Sequence, residues 1–487
     1  MARISNKFAI YITGGRFISM LAGFLMPVVL VRVMPKGNYG LTSQFLTLYT
    51  SIYTIAAMGL HTNLFFFCNT DDQRKMNKYV TNTLFLLLLF GVITGFLLFL
   101  SPVKQLLFGD SELGKHSDLI ILCIALATIM NVVSPLNTIR QDKWGALLYP
   151  GFVAFGRLGA ILYSAMMFRD IHHLFFCLFI FQCLISAAIL LYVRFKTKLE
   201  LDFSLMKEQL VYSLPFGLAV ALQLVSNYFD KLVCIRMLTP AEYAIYGIAF
   251  LSIPGINQIY DSLCQVNIVN MSNSFRSGRI VEIQPLYGSF VIKTLSFSVP
   301  VILVVALFSE EIMTFLYTSS YVSAAMYFRL YSLTFLTSML GAGTVLRSLG
   351  KTKLSMYAYF ITCVVGMPIT FFLIKYYGTT GAIIGAMINI ILPRFIQMYF
   401  EANSLKLSLG DFLPWKVILS IMTYSLMFLI PLVVLKISFD QSIWICIFES
   451  SLYIIIVYSI FVKKDIFTIK KNVIFCFFET IKLRLHL

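Results

Sequence analysis

The chain alternates long apolar runs with short polar segments from its first residues to about residue 462. Each run is about 20 residues or longer, which is the length that an α-helix needs to cross roughly 30 Å of hydrocarbon. The pattern therefore predicts an all-α integral membrane protein with about fourteen transmembrane helices, called spans 1 to 14. The predicted spans are 8–33, 41–67, 79–100, 119–139, 146–168, 174–193, 211–235, 243–269, 286–308, 324–346, 355–376, 381–400, 412–435 and 443–462.

The C-terminal residues 463–487 have a different pattern. Apolar residues recur there at helical spacing, with lysines and an arginine between them. This pattern predicts an amphipathic helix on the anionic cytoplasmic leaflet, and a disordered basic tail is the alternative. The apolar positions are Phe467, Ile469, Val473, Phe477 and Ile481.

Composition supports a protein that lies mostly in lipid. Hydrophobic residues make up 59% of the chain and charged residues 12%, whereas a soluble domain carries about 25% charged residues. The nine cysteines are scattered through apolar runs, and the five histidines show no ligand spacing, so the sequence predicts neither disulfides nor a metal site.

The basic residues predict the orientation in the membrane. With a cytoplasmic N-terminus, 24 of the 38 Lys and Arg residues fall on the cytoplasmic side and 8 on the opposite side, residues at span ends being counted with the adjoining loop. This bias is the one that the positive-inside rule requires, and it places both termini in the cytoplasm. It also accounts for the net charge of +16 without nucleic acid as a partner.

Spans 1–6 and spans 7–12 have the spacing of an internal repeat. Equivalent spans begin between 202 and 209 residues apart, and a short motif recurs at the end of spans 1 and 7. In this motif Arg32 corresponds to Arg236, and Tyr39 corresponds to Tyr243. Parallel repeats of this kind are typical of transporters that bind their substrate between two lobes. The predicted domains are an N-lobe (1–205), a C-lobe (206–405), a pair of added spans (406–462) and the tail (463–487).

The repeated motif resembles that of polysaccharide flippases in the multidrug/oligosaccharidyl-lipid/polysaccharide (MOP) superfamily. Met58-Gly59-Leu60 at the end of span 2 and Asp230-Lys231 in span 7 add to the likeness, which covers the whole chain and is strongest for the Wzx-type flippases. One departure is Lys36-Gly37-Asn38, where the family usually has an acidic residue before the tyrosine.

The resemblance implies two six-helix lobes around a V-shaped cleft in a bacterial inner membrane. It implies a transporter, not an enzyme, that moves undecaprenyl-diphosphate-linked oligosaccharide repeat units to the outer leaflet for O-antigen, capsule or other surface polysaccharide. Membrane lipids, and other polysaccharide assembly proteins, would be its partners. No cofactor is expected, and coupling to an H⁺ or Na⁺ gradient stays open. The alternatives are an organic-cation antiporter of the same fold and a membrane glycan polymerase or ligase.

Basic residues inside spans are the first candidates for the substrate site, because charge in hydrocarbon is costly and is retained mainly for function. Arg157 is the strongest candidate, since it lies about eleven residues into span 5, near the middle of the membrane. A guanidinium there could bind a diphosphate at two oxygens. The other basic candidates are Arg16, Lys231, Lys293 and Arg329, whereas Arg394 is better explained as an anchor at a span end.

Polar and acidic residues within spans complete the candidate site. Asn63 and Asn227 are expected to contact the sugar, together with Asn131, Gln223, Tyr228, Asn257 and Asn389, unless these residues only bond helices to one another. Asp230 and Asp261 are the candidates for ion coupling, and Asp230 could instead pair with Arg157. Glu449 lies outside the repeat and is expected to be structural.

Overall fold

The computed structural model describes residues 6–68, 72–109, 111–168, 170–253, 256–438, 442–464 and 466. All fourteen predicted spans fall on helices, and the described part of the chain contains no strand. The predicted tail helix lies outside the described residues. The helices are α1 (Asn6–Val33), α2 (Lys36–Ala56), α3 (Leu64–Phe67), α4 (Gln73–Phe99), α5 (Ser101–Phe108), α6 (Ser117–Ala127), α7 (Val133–Ile139), α8 (Lys143–Met167), α9 (Ile171–Lys196), α10 (Phe203–Met237), α11 (Pro240–Ala249), α12 (Ile256–Arg276), α13 (Ile283–Leu307), α14 (Ser309–Tyr317), α15 (Ala324–Ser338), α16 (Thr344–Ser348), α17 (Thr352–Ile361), α18 (Met367–Ser404), α19 (Leu409–Phe412), α20 (Trp415–Ser438) and α21 (Ile443–Lys463).

Large apolar side chains lie on the outside of these helices. Phe96, Phe152, Leu184 and Phe448 are each more than 60% exposed. Among the described residues, nine helical stretches are long and apolar enough to cross a membrane, and one of them, Thr352–Ser404, covers spans 11 and 12. Because such surface is stable in lipid and not in water, the chain is a multi-pass membrane protein.

Three spans that the sequence predicts as continuous are broken. Span 2 ends as a regular helix at Ala56, and Met58 and Gly59 then take positive φ angles of 42° and 63° before a short 3₁₀ turn. Helix α10 packs closely against this break, since a Cβ atom on Gly217 would lie 2.2 Å from the carbonyl oxygen of Met58.

Span 10 is broken between α15 and α16, where Gly341 and Gly343 have φ angles of 70° and 90°. Span 8 is interrupted between α11 and α12. In both spans the local backbone overrides the apolar pattern that predicted one helix, because hydropathy records burial and not φ.

The chain forms two compact units. The first contains Met1–Leu251, Leu316–Thr318 and Tyr359–Asn389, and the second contains Ser252–Phe315, Ser319–Ala358 and Ile390–Leu487. The lobe boundaries at residues 205 and 405 stay a prediction.

In the first unit, α1 packs along α8 and α2 packs along α11. Small residues allow both pairs to approach closely, as is usual between membrane helices. A Cβ atom on Gly15 would lie 2.2 Å from the carbonyl oxygen of Ala146, and one on Gly40 would lie 1.7 Å from that of Pro240. Only glycine fits at these positions, and α2 and α11, which are equivalent in the repeat, therefore meet at their N-terminal ends.

In the second unit, α13 lies at the centre and packs against α12, α15, α20 and α21. The fully buried Tyr287 donates a hydrogen bond from its hydroxyl to the carbonyl oxygen of Leu340, 2.7 Å away, at the break of span 10. This bond satisfies a carbonyl group that the broken helix leaves without a partner in its own backbone.

Candidate functional site

The candidate site is a cavity of about 440 Å³ inside the first unit. Its walls come from α1, α2, α8, α10 and α11, so the α1–α8 and α2–α11 packings described above position it. Small polar residues face it from α1 and α2, among them Ser19, Ser43, Thr47 and Thr50. The cavity therefore offers hydroxyl groups to a bound molecule although it lies between membrane helices.

Arg157 on α8 supplies the first cation of the cavity. Its Nη2 atom donates to the hydroxyl oxygen of Tyr49 at 3.3 Å, and its Cζ atom lies 4.8 Å from the centre of the Tyr49 ring. The Tyr49 hydroxyl in turn donates to Oε1 of Gln182 at 2.6 Å, and Nε2 of Gln182 donates to Oγ of Ser186 at 3.0 Å. This chain of bonds orients the guanidinium and contains no acid.

Within the described part of the chain, no carboxylate forms an ion pair with Arg157. A pairing with Asp230, which the sequence left open, is not formed. Among the described residues, therefore, none compensates the positive charge of Arg157 at the cavity wall. Such a group is a binding site for an anion.

Lys231 on α10 supplies the second cation, and it is paired. Its Nζ atom lies 3.2 Å from Oδ2 of Asp230, donates to the carbonyl oxygen of Asn227 at 3.5 Å, and lies 4.2 Å from the centre of the Phe250 ring. Asp230 and Lys231 are neighbours on a helix, and their Cβ atoms therefore point about 100° apart. The flexible four-carbon stem of the lysine folds back across that angle.

Asp230 is almost fully buried, with 1% of its surface exposed. Besides Lys231, its carboxylate accepts a hydrogen bond from the hydroxyl of Tyr246 on α11. The pair of Asp230 and Lys231 is neutral, and no Asp or Glu is among the described residues that line the cavity. The cavity as a whole therefore has one excess positive charge, that of Arg157.

A comparison with known protein families matches the part of the chain that forms the cavity. Residues 6–265, which carry both cavity cations, match the family described as polysaccharide biosynthesis protein. The chain belongs to this family. A comparison with curated protein sequences finds no match.

The fold of this family member is similar to that of solved membrane transporters. A lipid II flippase, MurJ in an inward closed conformation, superimposes with a TM-score of 0.73 at 18% identity, over 95% of this chain and 100% of that one. An inward-facing multidrug resistance transporter of the MATE family gives 0.61 at 13% identity, over 80% and 94%. A MOP-superfamily transporter from Pyrococcus furiosus, described as having a binding pocket of reverse polarity, gives 0.54 at 14% identity, over 82% and 94%.

Two further predicted site residues lie close to the cavity of this family member. Arg16 is exposed on α1, three residues before Ser19 and seven before Gly23, which both line the cavity. Since residues at this spacing share a helix face, Arg16 continues the cavity face of α1 towards its N-terminal end. Asn227 is exposed on α10 and contacts the site through its carbonyl oxygen, which accepts from Lys231.

Asn63 bonds helices to one another, which is the alternative to sugar contact that the sequence left open. Its side chain is 1% exposed, and its Nδ2 atom donates to Oγ of Ser213 at 3.1 Å. Its Oδ1 atom accepts from Oγ1 of Thr83 at 3.3 Å and from Nε2 of Gln209 at 3.2 Å. Asn63 therefore bonds α4 and α10 to the 3₁₀ turn after α2, and it does not line the cavity.

The remaining charged candidates, Lys293, Asp261 and Arg329, belong to the second unit. Lys293 on α13 and Asp261 on α12 are exposed. Arg329 on α15 binds the C-terminal end of α13, because its Nε atom donates to the carbonyl oxygen of Ala306 at 3.0 Å and its Nη2 atom lies 3.2 Å from Oε1 of Glu310. These contacts are those of a residue that joins two helices.

Most of the other polar candidates bond helices to one another or to their own turn, and Tyr228 is the one among them that lines the cavity. Asn257 lies on α12 of the second unit, and Glu449 is half-buried on α21. The hydrogen bonds of the rest run from Gln223 to Tyr359, from Asn389 to Thr370, from Asn131 to the carbonyl oxygen of Thr128, and from Arg394 to Thr337.

Sequence reasoning missed two residues. Tyr49, which orients Arg157, stands in a stretch of span 2 that is rich in Thr, Ser and Tyr, and this polarity was the signal that could have identified it. Glu401 is fully buried at the end of α18 and accepts from the backbone amides of Val345 and Leu346 at 2.8 and 3.3 Å. It caps α16 after the break of span 10, and it stands one residue beyond predicted span 12, where an acid looks like a loop residue.

Proposed function

We propose that the chain is a flippase that carries undecaprenyl-diphosphate-linked oligosaccharide repeat units from the cytoplasmic to the outer leaflet of a bacterial inner membrane by alternating access. The observation that carries this proposal is the uncompensated guanidinium of Arg157 in the cavity wall. Membership of the polysaccharide biosynthesis family and the likeness to a lipid II flippase support a lipid-linked glycan as the cargo.

The diphosphate is the part of such a cargo that is hardest to move through a membrane, because its negative charges must leave water. A guanidinium offers two parallel N–H donors to phosphate oxygens, and the bond is stronger in a site with few waters. Arg157 would bind one phosphate, and Lys231 would bind the second when it releases Asp230. Arg16, on the same face of α1, would meet the anion on its way into the cavity.

The excess positive charge argues against an organic cation as the cargo. A cationic drug would need a free carboxylate, but the described cavity lining holds no acid and the neighbouring Asp230 is already bound by Lys231 and Tyr246. The same lack of a carboxylate pair at the cavity argues against a glycan polymerase or ligase that works by acid–base catalysis.

Ion coupling is a further part of the proposal. Asp230 is the better of the two acidic candidates, because it is buried beside the cavity, whereas Asp261 is exposed in the second unit. Uptake of H⁺ or Na⁺ at Asp230 would weaken its bond to Lys231 and so change the charge that the cavity offers to the cargo.

The test uses the full-length protein in liposomes with a fluorescent undecaprenyl-diphosphate oligosaccharide. An added glycosidase that cannot cross the membrane reports how fast the glycan changes leaflets. We expect Arg157→Ala to slow flipping by roughly ten- to a hundredfold, the effect of losing a charge-assisted hydrogen bond, and Arg157→Lys to fall between.

The matched control is Arg276→Ala, which removes an exposed arginine at the end of α12. It should flip at the wild-type rate. Equal rates for Arg157→Ala and wild type would refute the phosphate site, and a wild-type protein that exports organic cations but does not flip the lipid would refute the cargo.

A further inference from the structure

The arginines of the repeated motif, which the cavity does not use, contact the opposite copy of the repeat. Nη1 of Arg32, at the end of α1, donates to the carbonyl oxygen of Leu316 at 2.6 Å, near the C-terminal end of α14. The side chain of Arg236, at the end of α10, packs against Gly109, the residue that follows α5. A Cβ atom on Gly109 would lie 3.1 Å from Nε of Arg236 and 3.5 Å from its Cγ.

The two contacts are equivalent in the repeat. Helices α5 and α14 follow spans 3 and 9, and each ends at a residue with positive φ, which is 50° at Gly109 and 75° at Thr318. These residues stand 209 positions apart, within the range of the offsets between spans. The arginine of the first copy thus reaches the helix end of the second, and the arginine of the second reaches the helix end of the first.

Each contact has a clear physical basis. The C-terminal end of a helix carries a partial negative charge and carbonyl groups without a partner, and a cation placed there is stabilising. The guanidinium is suited to this because it keeps its charge and offers several donors to carbonyl oxygens. All four residues belong to the first unit.

These contacts lie on the same side of the cavity as the crossing of α2 and α11. The crossing is at Gly40 and Pro240, and the residues of α2 that line the cavity, Ser43, Thr47 and Thr50, follow it along the helix. The charge bias of the loops assigns this side to the outside of the cell. The α2–α11 crossing therefore separates the cavity from the outer face.

We propose that Arg32 and Arg236 are a reciprocal latch that holds the outer gate of the transporter closed. The proposal rests on the proposed function to the extent that alternating access requires this gate to open. Opening must separate α2 from α11, and the two arginines, which connect the copies of the repeat beside this crossing, must then leave the helix ends at Leu316 and Gly109. Each arginine stabilises the closed gate over the open one.

The test measures access to the cavity from outside in cells that express the full chain with Thr50→Cys. Thr50 lines the cavity, and among the described residues its hydroxyl bonds only to carbonyl groups of its own helix. A maleimide that cannot cross the membrane labels the introduced thiol when the gate opens. We expect Arg32→Gln and Arg236→Gln each to speed labelling by roughly three- to tenfold and the double variant to exceed both.

Two further variants make the result decisive. Gly109→Ala keeps both arginines but pushes Arg236 away, and it should also speed labelling. Lys115→Gln removes an exposed cation from the same loop as Gly109 without touching the latch, and it should label like the parent. Labelling of both arginine variants at the rate of Lys115→Gln would overturn the proposal. Because the assay reports only how often the cavity opens to the outside, its outcome does not depend on whether the protein flips a lipid-linked glycan.

Discussion

Arg157 rests on Tyr49: the guanidinium donates to the phenol oxygen at 3.3 Å and its carbon lies 4.8 Å from the ring centre. Both contacts are with an uncharged group. The ring and the hydroxyl fix the direction of the guanidinium without cancelling its charge, so the charge is available to an anion in the cavity.

The neutral chain behind Arg157 predicts that Gln182→Glu weakens anion binding. A carboxylate at this position would bond to Tyr49 as the amide does, but it would partly compensate the charge of Arg157. We expect a prenyl diphosphate of short chain length to bind roughly tenfold more weakly, measured by titration calorimetry in detergent. Gln182→Leu, which removes one neutral hydrogen bond, should cost only a few fold. Equal losses in the two variants would show that charge at this position is irrelevant.

The ion pair beside the cavity predicts an effect of the opposite sign for Asp230→Asn. The amide cannot hold Lys231 as strongly as the carboxylate does, so a second cation becomes available to the diphosphate. We expect roughly three- to tenfold tighter binding, and slower flipping because the cargo leaves more slowly. Asp261→Asn, an exposed acid of the second unit, is the control for binding. Weaker binding by Asp230→Asn would mean that Asp230 orients Lys231 and does not restrain it.

The bonds of Asn63 predict that Asn63→Ala impairs stability and leaves binding intact. The substitution removes one donor and one acceptor and leaves Ser213, Thr83 and Gln209 with one partner fewer. We expect the free energy of unfolding to fall by about 1–3 kcal/mol, the cost of buried polar groups that lose their partner. Asn131→Ala, which loses one bond to its own turn, should fall less. Thermal unfolding in detergent measures the stability, and a loss of diphosphate binding at full stability would restore Asn63 to the binding site.

Asp202 predicts a dependence of stability on pH. It precedes α10, caps its backbone amides and binds Nζ of Lys78 at 3.0 Å, and this hydrogen bond is the main cause that lowers the pKa of Asp202 below its ordinary value of 3.8. A carboxylate with a lowered pKa stabilises the folded state above the ordinary pKa, and this contribution is lost as the pH falls below it. The melting temperature should therefore drop more steeply between about pH 5 and pH 3 in the wild type than in Asp202→Asn. Glu208→Gln, which removes an exposed acid of the same helix, should keep the wild-type slope.

Hydropathy was sufficient to predict which fourteen segments contain helices, because a helix that crosses lipid must be apolar over its whole length. The same reasoning identified Arg157 as a candidate, because a charge in the middle of a membrane span is costly and is retained mainly for function. It could not reveal that the cation is held by Tyr49. That contact joins two helices 108 residues apart in sequence, and its partner is a residue type that is common in membrane helices.

The apolar pattern also did not predict the local backbone geometry. The break at Met58-Gly59 and the break between Gly341 and Gly343 each depend on two positive φ angles, and the residues around them remain apolar. The pairing of Asp230 with Lys231 depends on side-chain rotamers, which helical spacing does not fix. Glu401 binds backbone amides that exist as free donors only because span 10 is broken.

The crossing of α2 and α11 has the character of an isologous contact, such as the one between the two subunits of a symmetric dimer. Ser43 and Gly247 occupy equivalent positions 204 residues apart, and they face each other. The cations of the cavity do not follow this symmetry: the equivalent of Lys231 is Pro27, and the equivalent of Arg157 falls at Gly366. The charge of the cavity is therefore asymmetric, although the two helices that meet beside it, α2 and α11, occupy equivalent positions in the repeat.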